Sequence, residues 1–414
     1  MAASRSQSTL QSRRAFLART LALGCSAAAS PLITPVTFAS APGDNRLVVI
    51  VLRGAMDALH AVAPVGDPLL RRYRPTLSRA EFIDLDGYFG LAPELGDLMA
   101  LWRGGDLAFA QAVSTPYRDK RSHFDGQDLL EAGIEEVTGD VRDSGWLNRM
   151  LTLMPGAQKE TAFSVGRDDM LLLRGQAPST SWAPDGRIDL SPQAQLLLSV
   201  IYDKDPLFAE AGQTAMTLAE EMRLPTGDNF DDDGQMMAQM QAAMREAAKV
   251  QAASGLASFA AGRLREDTRI ASFSIGGWDT HLRQARSMRR AMGELTGALL
   301  TLRDELGPVW EKTAVLAMTE FGRTARENGT EGTDHGTGGA LVLAGGAVRG
   351  GRIYGQWPGI DESALYARRD LMPTRDVRAY AGWAMRRLYG LGVSEIERVV
   401  FPGLNLGSDP GFLL

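Results

Sequence analysis

Continuous apolar runs alternate with stretches of helical periodicity along most of the chain. The runs are rich in β-branched and small apolar residues, which is typical of strands buried on both faces of a sheet. They cover residues 46–52, 107–113, 270–275, 314–318 and 340–344. Helical periodicity occupies residues 94–103, 124–132, 282–306 and 377–389. Strands separated by helices predict an α/β fold with a mainly parallel sheet and helices on both faces.

Residues 190–265 have a different composition, rich in Ala, Gln and Met, with helical periodicity throughout. A methionine stripe at helical spacing is more typical of core packing than of a cofactor site. We therefore predict one α/β domain over residues 43–414 with a helical insertion at about 190–265.

The first 39 residues have the features of an export signal. Arg13 and Arg14 form a twin-arginine pair, and an apolar stretch and small residues around Ala39 follow. The apolar stretch is too short and too rich in Ala for a stable membrane span. We predict a signal peptide over residues 1–39, read by the twin-arginine export machinery, and a periplasmic or secreted mature protein. The alternative is an amphipathic N-terminal helix.

Removal of this segment would change both the charge and the thiol content. Residues 1–39 contain four arginines, no acidic residue and the single cysteine, Cys25, so the net charge would change from −6 to −10. A negative charge of this size disfavours nucleic acid and anionic membrane surfaces as partners. Without a thiolate, metal ligands in the mature protein must be oxygen or nitrogen atoms.

The chain has only four histidines, and three of them lie in short polar clusters beside predicted strands. His123 lies in RSHFD, His281 closes GGWDTH and His335 lies in TDHGTGG. Imidazoles beside carboxylates are typical ligands of divalent metals, and sites in such sheets form at the carboxyl ends of strands. We therefore predict a metal site formed by Asp57, Asp279, His281, Glu320, Asp334 and His335.

Ser122 is the candidate nucleophile. It is predicted to begin a helix, and the free N–H groups and dipole at a helix N-terminus favour an anion. Arg118, Arg121 and Arg323 would add fixed positive charge for an anionic group. The alternative for Ser122 is a plain N-cap, and Asp57 could likewise cap the helix after the first strand.

Taken in order, these motifs resemble the alkaline-phosphatase-like superfamily, and within it an uncharacterised, twin-arginine-exported bacterial family distantly similar to sulfatases. The resemblance covers nearly the whole chain after the predicted signal. It implies an early metal-binding Asp at Asp57 and a nucleophile at the start of a helix that ends in Gly, matched by Ser122 and Gly133. It implies further metal ligands at Asp279, His281, Glu320 and His335.

The chain departs from the superfamily pattern at several points. Phe321 stands where a His ligand is expected, so one of the metal sites would lack a ligand. Asp279 and His281 are closer together than the corresponding pair. The nucleophile register can shift by one residue, so His123 is the alternative to Ser122. Residues 114–118, STPYR, match a sulfatase signature literally, but the rest of that signature is missing, which favours a chance match.

The resemblance implies an exported, metal-dependent hydrolase that acts on small anionic substrates, namely phosphate or sulfate esters. The cofactor would be a divalent metal: zinc, calcium or magnesium. Ser122 or His123 would attack the ester, while Arg121 and Arg323 would neutralise the developing charge. The contrasting hypothesis is a non-catalytic periplasmic binding or assembly protein that keeps the fold and has lost one metal site. Phe321 favours that hypothesis, and the remaining ligand set opposes it.

Overall fold

The computed structural model describes residues 43–136, 143–166, 170–182 and 253–414. The predicted signal segment and most of the predicted helical insertion lie outside the described residues. The end of the insertion is described, and residues 253–264 form a helix there, as predicted.

The strands are β1 (Arg46–Leu52), β2 (Val62–Ala63), β3 (Ile83–Asp84), β4 (Gly90–Leu91), β5 (Leu107–Ser114), β6 (Ala162–Val165), β7 (Thr180–Trp182), β8 (Ile270–Ile275), β9 (Thr313–Thr319), β10 (Gly339–Ala344), β11 (Ile353–Tyr354) and β12 (Arg375–Asp376). The α-helices are α1 (Ala58–Ala61), α2 (Leu69–Tyr73), α3 (Met99–Gly104), α4 (His123–Ala132), α5 (Trp146–Thr152), α6 (Ala253–Leu264), α7 (Gln284–Leu306), α8 (Val377–Tyr389) and α9 (Val393–Glu395). Short 3₁₀-helices cover Leu77–Arg79, Pro93–Leu98, Lys159–Thr161, Leu171–Leu173 and Gly307–Lys312, and a π-helical turn covers Ile396–Val400.

Among the described residues, nine strands form one mixed sheet in the order β11–β5–β10–β9–β1–β8–β6–β7, with β12 also paired to β5. β10 is antiparallel to β5 and to β9, and the other pairings in this sheet are parallel. The three short strands β2, β4 and β3 form a separate antiparallel sheet. All five strands predicted from apolar runs belong to the large sheet, so the α/β prediction is confirmed.

The central strand β1 is buried on both faces, as its apolar sequence after Arg46 predicts. Val48 and Ile50 enter one core, which also contains side chains of α6 and α7. Val49 and Val51 enter a second core with side chains of α5 and α8. Because alternate side chains of a strand point to opposite faces, helices therefore cover both faces of the sheet.

The reversed direction of β10 decides what lies at the carboxyl edge of the sheet. In its register with β9, Val342 pairs with Ala317 and Ala344 pairs with Val315. The start of β10 therefore lies beside the end of β9. His335, four residues before β10, and Glu320, one residue after β9, consequently lie at the same edge.

No helix among the described residues combines the length and the apolar character that crossing a bilayer requires.

Candidate metal centre

Three of the four histidines meet around one carboxylate oxygen. Oδ1 of Asp279 lies 3.0 Å from Nε2 of His281, 3.3 Å from Nε2 of His335 and 3.4 Å from Nε2 of His123. The Nε2 atoms of His281 and His335 are 2.9 Å apart. His123, Asp279 and His335 form a cluster that could hold a metal ion, with one ligand atom from each lying within 4.8 Å of the others. We call these three residues together with His281 the His/Asp group.

The four members come from three segments that the fold brings to one edge. His123 is the first residue of α4, and Asp279 and His281 follow β8. His335 precedes the antiparallel strand β10 and forms an isolated bridge with Arg323. The prediction that the three histidine clusters converge at the carboxyl edge is confirmed for this group.

The second ring nitrogen of His335 and of His281 faces an acceptor. Nδ1 of His335 lies 2.8 Å from the carbonyl oxygen of Arg121. Because a carbonyl oxygen can only accept, Nδ1 carries the proton and the lone pair of the neutral ring lies on Nε2. Nδ1 of His281 lies 3.3 Å from Oδ1 of Asp334, which favours the same tautomer. Both rings therefore direct an Nε2 lone pair towards Asp279.

His123 is oriented in the same way by a buried carboxylate. Its Nδ1 lies 2.8 Å from Oε1 of Glu320, which also accepts from the backbone N–H of Gly54 and the amide of Gln127. Burial by itself raises the pKa of Glu320, but the hydrogen bond from His123 and the others lower it below its usual value. Nε2 of His123 is buried and has no hydrogen-bond partner within the described part of the chain.

The spacing of these atoms fits a bound cation. Ligand atoms about 2.1 Å from a tetrahedral metal lie roughly 3.4 Å apart. The distances from Oδ1 of Asp279 to the three Nε2 atoms are 3.0, 3.3 and 3.4 Å. Two lone-pair nitrogens at the separation of His281 and His335 repel each other unless a proton or a cation lies between them. The orphaned Nε2 of His123 completes the fit.

Arg323 holds Asp279 and the surrounding loops rather than facing open space. Its guanidinium is buried, and one nitrogen lies 2.5 Å from Oδ1 of Asp279. Burial by itself raises the pKa of Asp279, but the hydrogen bond and charge of Arg323 lower it to about 2. Arg323 also donates to the carbonyl oxygens of Gly54, Ala55, Trp278 and Thr333, and its Nη1 lies 3.4 Å from Nε2 of His281. The sequence suggested that Arg323 neutralises charge on a substrate, whereas the structure directs each of its nitrogens to protein acceptors.

Glycines allow these loops to approach one another. Gly54 has a φ of +117°, and a Cβ atom at this position would lie 2.5 Å from the backbone nitrogen of Asp279. A Cβ atom at Gly322 would overlap with the carbonyl oxygen of Gly338. The first close approach joins the segments after β1 and β8, and the second joins the segment after β9 to the segment before β10.

Asp57, predicted as a metal ligand, has other partners. It is fully buried, and its two oxygens accept from Arg74 at 2.6 and 3.0 Å. Oδ2 also accepts from the amide of Gln284 at 2.5 Å, and Oδ1 caps α1 through the backbone N–H of Leu59. The structure therefore does not bring Asp57 into the His/Asp group and gives it the capping role that the sequence left open. The opposing charge of Arg74 is the physical reason.

Ser122, the predicted nucleophile, is the N-cap of α4. Its Oγ accepts from the backbone N–H of Asp125, and its own backbone N–H donates to the hydroxyl of Tyr117. The capping alternative is thus what the structure describes, and the nucleophilic role stays a prediction. The neighbouring His123 is the residue of this pair that enters the His/Asp group.

The remaining predicted residues lie around the group. Arg121 has a left-handed backbone with φ of 55°, and its carbonyl oxygen positions His335 while its side chain is exposed. Arg118 donates to the carbonyl oxygens of Thr115 and Tyr117. Asp334 is exposed and contacts His281. Asp334 and Glu320 each orient one histidine of the group.

Phe321, which the sequence presented only as a missing ligand, packs against two histidines of the group. Its buried ring stacks on His123 at a centroid distance of 5.1 Å and an angle of 24°. It also contacts the ring of His335 at 5.3 Å and stacks on Tyr117. Phe321 therefore forms an apolar wall that fixes two imidazoles of the group.

The fold and the group define an α/β protein with a candidate metal centre at the carboxyl edge of its sheet. Residues 108–389 match the model of a family described as protein of unknown function (DUF1501), and the chain belongs to this family. The matched region begins in β5 and ends with α8, so it contains the whole His/Asp group. A comparison with curated proteins gave no match.

Proposed function

We propose that this protein is an exported, metal-dependent hydrolase of phosphate or sulfate esters, with one metal centre at the His/Asp group, on an alkaline-phosphatase-like fold. The main support is the convergence of three Nε2 atoms on Oδ1 of Asp279 while each Nδ1 faces an acceptor. Ring nitrogens oriented by carboxylates or carbonyls in this way are characteristic of metal-binding histidines. The export route rests on the twin-arginine segment of the sequence.

Zinc is the metal that we expect, in preference to calcium or magnesium. The donors are imidazole nitrogens and one carboxylate oxygen, which suit zinc, whereas calcium and magnesium favour oxygen ligands alone. A divalent cation at this position would supply positive charge that polarises an anionic ester.

The chain's own residues would then hold and present the substrate. Glu320 keeps His123 oriented, and Arg323 keeps Asp279 ionised. The side chains of Asp279 and His281 are 46% and 45% exposed, so an ester can reach the group from solvent. The exposed guanidinium of Arg121, next to Ser122, would attract the anionic part of the ester.

The number of ligands separates this proposal from a non-catalytic one. Binding by His123, Asp279 and His335 leaves a fourth position open, as in catalytic zinc sites, whereas additional binding by His281 closes the site, as in structural ones. A closed site would favour the second candidate, a periplasmic metal-binding protein without catalysis. Phe321, which stands where a His ligand is expected, and the pairing of Asp57 with Arg74 favour the same candidate.

The proposal is tested with zinc-loaded protein comprising residues 40–414 and generic aryl phosphate and aryl sulfate esters. We expect hydrolysis by the wild type and its loss in Ser122→Ala, because this change removes the attacking oxygen, which is also the N-cap of α4. The zinc content should stay unchanged. Ser258→Ala is the matched control, since its hydroxyl bonds Glu305 at the far end of α7, and it should retain activity.

Each other outcome has a definite meaning. Turnover retained in Ser122→Ala would contradict the role of Ser122 and transfer the attack to water. Zinc-loaded wild type that hydrolyses neither ester class would contradict the hydrolase proposal and support the metal-binding alternative.

A further inference from the structure

A buried polar network lies directly behind the His/Asp group. Gln284, the first residue of α7, is wholly buried. Its amide oxygen accepts from the hydroxyl of Thr280 at 3.0 Å and from the hydroxyl of Thr333 at 2.6 Å. Its amide nitrogen donates to Oδ2 of Asp57 at 2.5 Å. One side chain thus joins two loops to the N-cap of α1.

These two loops carry three members of the His/Asp group. Thr280 lies between Asp279 and His281, and Thr333 lies two residues before His335. The backbone N–H of Thr333 also donates to the carbonyl of Thr280 at 3.3 Å. The distance between the metal-ligand atoms of the two loops therefore depends on the contacts that Gln284 makes with both threonines.

The direction of every hydrogen bond in this network follows from Asp57. Burial by itself raises the pKa of Asp57, but the charge and hydrogen bonds of Arg74, together with His60 and Gln284, lower it, so its carboxylate is ionised and can only accept. The amide nitrogen of Gln284 must then face Asp57, and the amide oxygen must face the threonines. Both hydroxyls are thereby committed as donors, which leaves a single arrangement of the network.

Arg74 extends the same network to the other side of the His335 loop. It donates to the carbonyl oxygens of Thr324 and Ala325. Thr324 in turn bonds Asp334 through its backbone N–H at 3.0 Å and through its hydroxyl at 3.1 Å. The loop that carries His335 is consequently held from both sides by partners of Asp57.

We propose that Gln284 is a positioning residue that sets the spacing of the donor atoms of Asp279, His281 and His335 through Thr280 and Thr333. This inference rests on the proposed metal centre. Buried polar side chains are costly unless all their hydrogen bonds form, and a fully satisfied network specifies one geometry. Such partners behind the ligands typically change metal affinity by 10- to 100-fold.

The experiment compares two threonine-to-valine changes of the same size. Thr333→Val removes the hydroxyl that donates to the amide oxygen of Gln284. Thr313, the first residue of β9, is equally buried, and Thr313→Val removes a hydroxyl that donates to the carbonyl oxygen of Val309. Both variants should lose a similar amount of thermal stability. We expect the zinc affinity, measured by chelator competition, to fall about 10- to 100-fold in Thr333→Val only.

Gln284→Met is the second variant, because methionine has nearly the same length and lacks the amide. It should weaken zinc binding further and shift the visible absorption spectrum of the cobalt-substituted protein, a readout that loss of stability alone does not change. If Gln284→Met does not fold, Thr280→Val and Thr333→Val carry the test by themselves.

The outcomes distinguish this inference from the proposed function. If the wild type binds zinc and both Thr280→Val and Thr333→Val bind it equally tightly, only the positioning role of Gln284 is overturned. Wild type that binds zinc and hydrolyses no ester would overturn the hydrolase alone. Wild type that binds no zinc would overturn both.

Discussion

Replacing His335 with alanine should lower the zinc affinity by at least about 100-fold, since it removes a ligand rather than a residue behind one. His335 contacts each other member of the His/Asp group. Its Nε2 lies 2.9 Å from Nε2 of His281 and 3.3 Å from Oδ1 of Asp279, and its ring centroid lies 4.3 Å from that of His123. Chelator competition and the metal content after dialysis measure the loss.

The fourth histidine provides the control. His60 is buried in α1, and its ring packs edge-on against Phe82 at 5.9 Å. His60→Gln also removes one imidazole, yet it should keep the zinc content of the wild type. An unchanged zinc content in His335→Ala would show that the group is not the metal site.

Asp57→Asn should lower the free energy of unfolding by about 3–5 kcal/mol, because it leaves the buried guanidinium of Arg74 without its counter-charge. The pair is 1% exposed on both sides. Denaturant unfolding measures the change. Glu362→Gln is the control, since it breaks an exposed pair with Arg326 and should cost about 0–1 kcal/mol. A loss below about 1 kcal/mol in Asp57→Asn would contradict the importance of the buried pair.

The same carboxylate makes stability depend on pH. In the folded protein, burial raises the pKa of Asp57, but the charge and hydrogen bonds of Arg74, together with His60 and Gln284, lower it more, so the folded pKa lies below the unfolded one. Its stabilising contribution is therefore fully present above the unfolded pKa of about 3.9 and is lost as the pH falls through the folded pKa. As the pH falls below about 4, the free energy of unfolding of Asp57→Asn should therefore decrease less than that of the wild type.

The sheet was predictable because its strands are buried on both faces. The run at β1 is apolar at every position after Arg46, and such a run has few alternatives in an α/β protein. The edge on which the histidines meet was also predictable, because each cluster follows or precedes a strand. The sequence did not reveal that β10 runs in the reverse direction, and this direction is what places His335 beside Glu320.

The partners of the site residues were much less predictable. Arg74 belongs to the run RRYR, which resembles a solvated basic surface, yet its guanidinium is buried on Asp57. No local pattern links residues that are 17 positions apart in this way. Gln284 begins an ordinary amphipathic helix, and only the tertiary structure brings Thr280 and Thr333 to its amide. Pairings of this kind depend on loop packing, which single-sequence periodicity does not encode.

The central claim is that His123, Asp279 and His335 bind one divalent metal, and the position of that metal in crystals tests it most directly. Crystals of zinc-loaded protein comprising residues 40–414 are measured with X-rays at the zinc absorption edge. We predict an anomalous peak about 2.0–2.2 Å from Nε2 of His123, Nε2 of His335 and a carboxylate oxygen of Asp279. A peak at other residues, or no peak at this group in zinc-loaded crystals, would contradict the account.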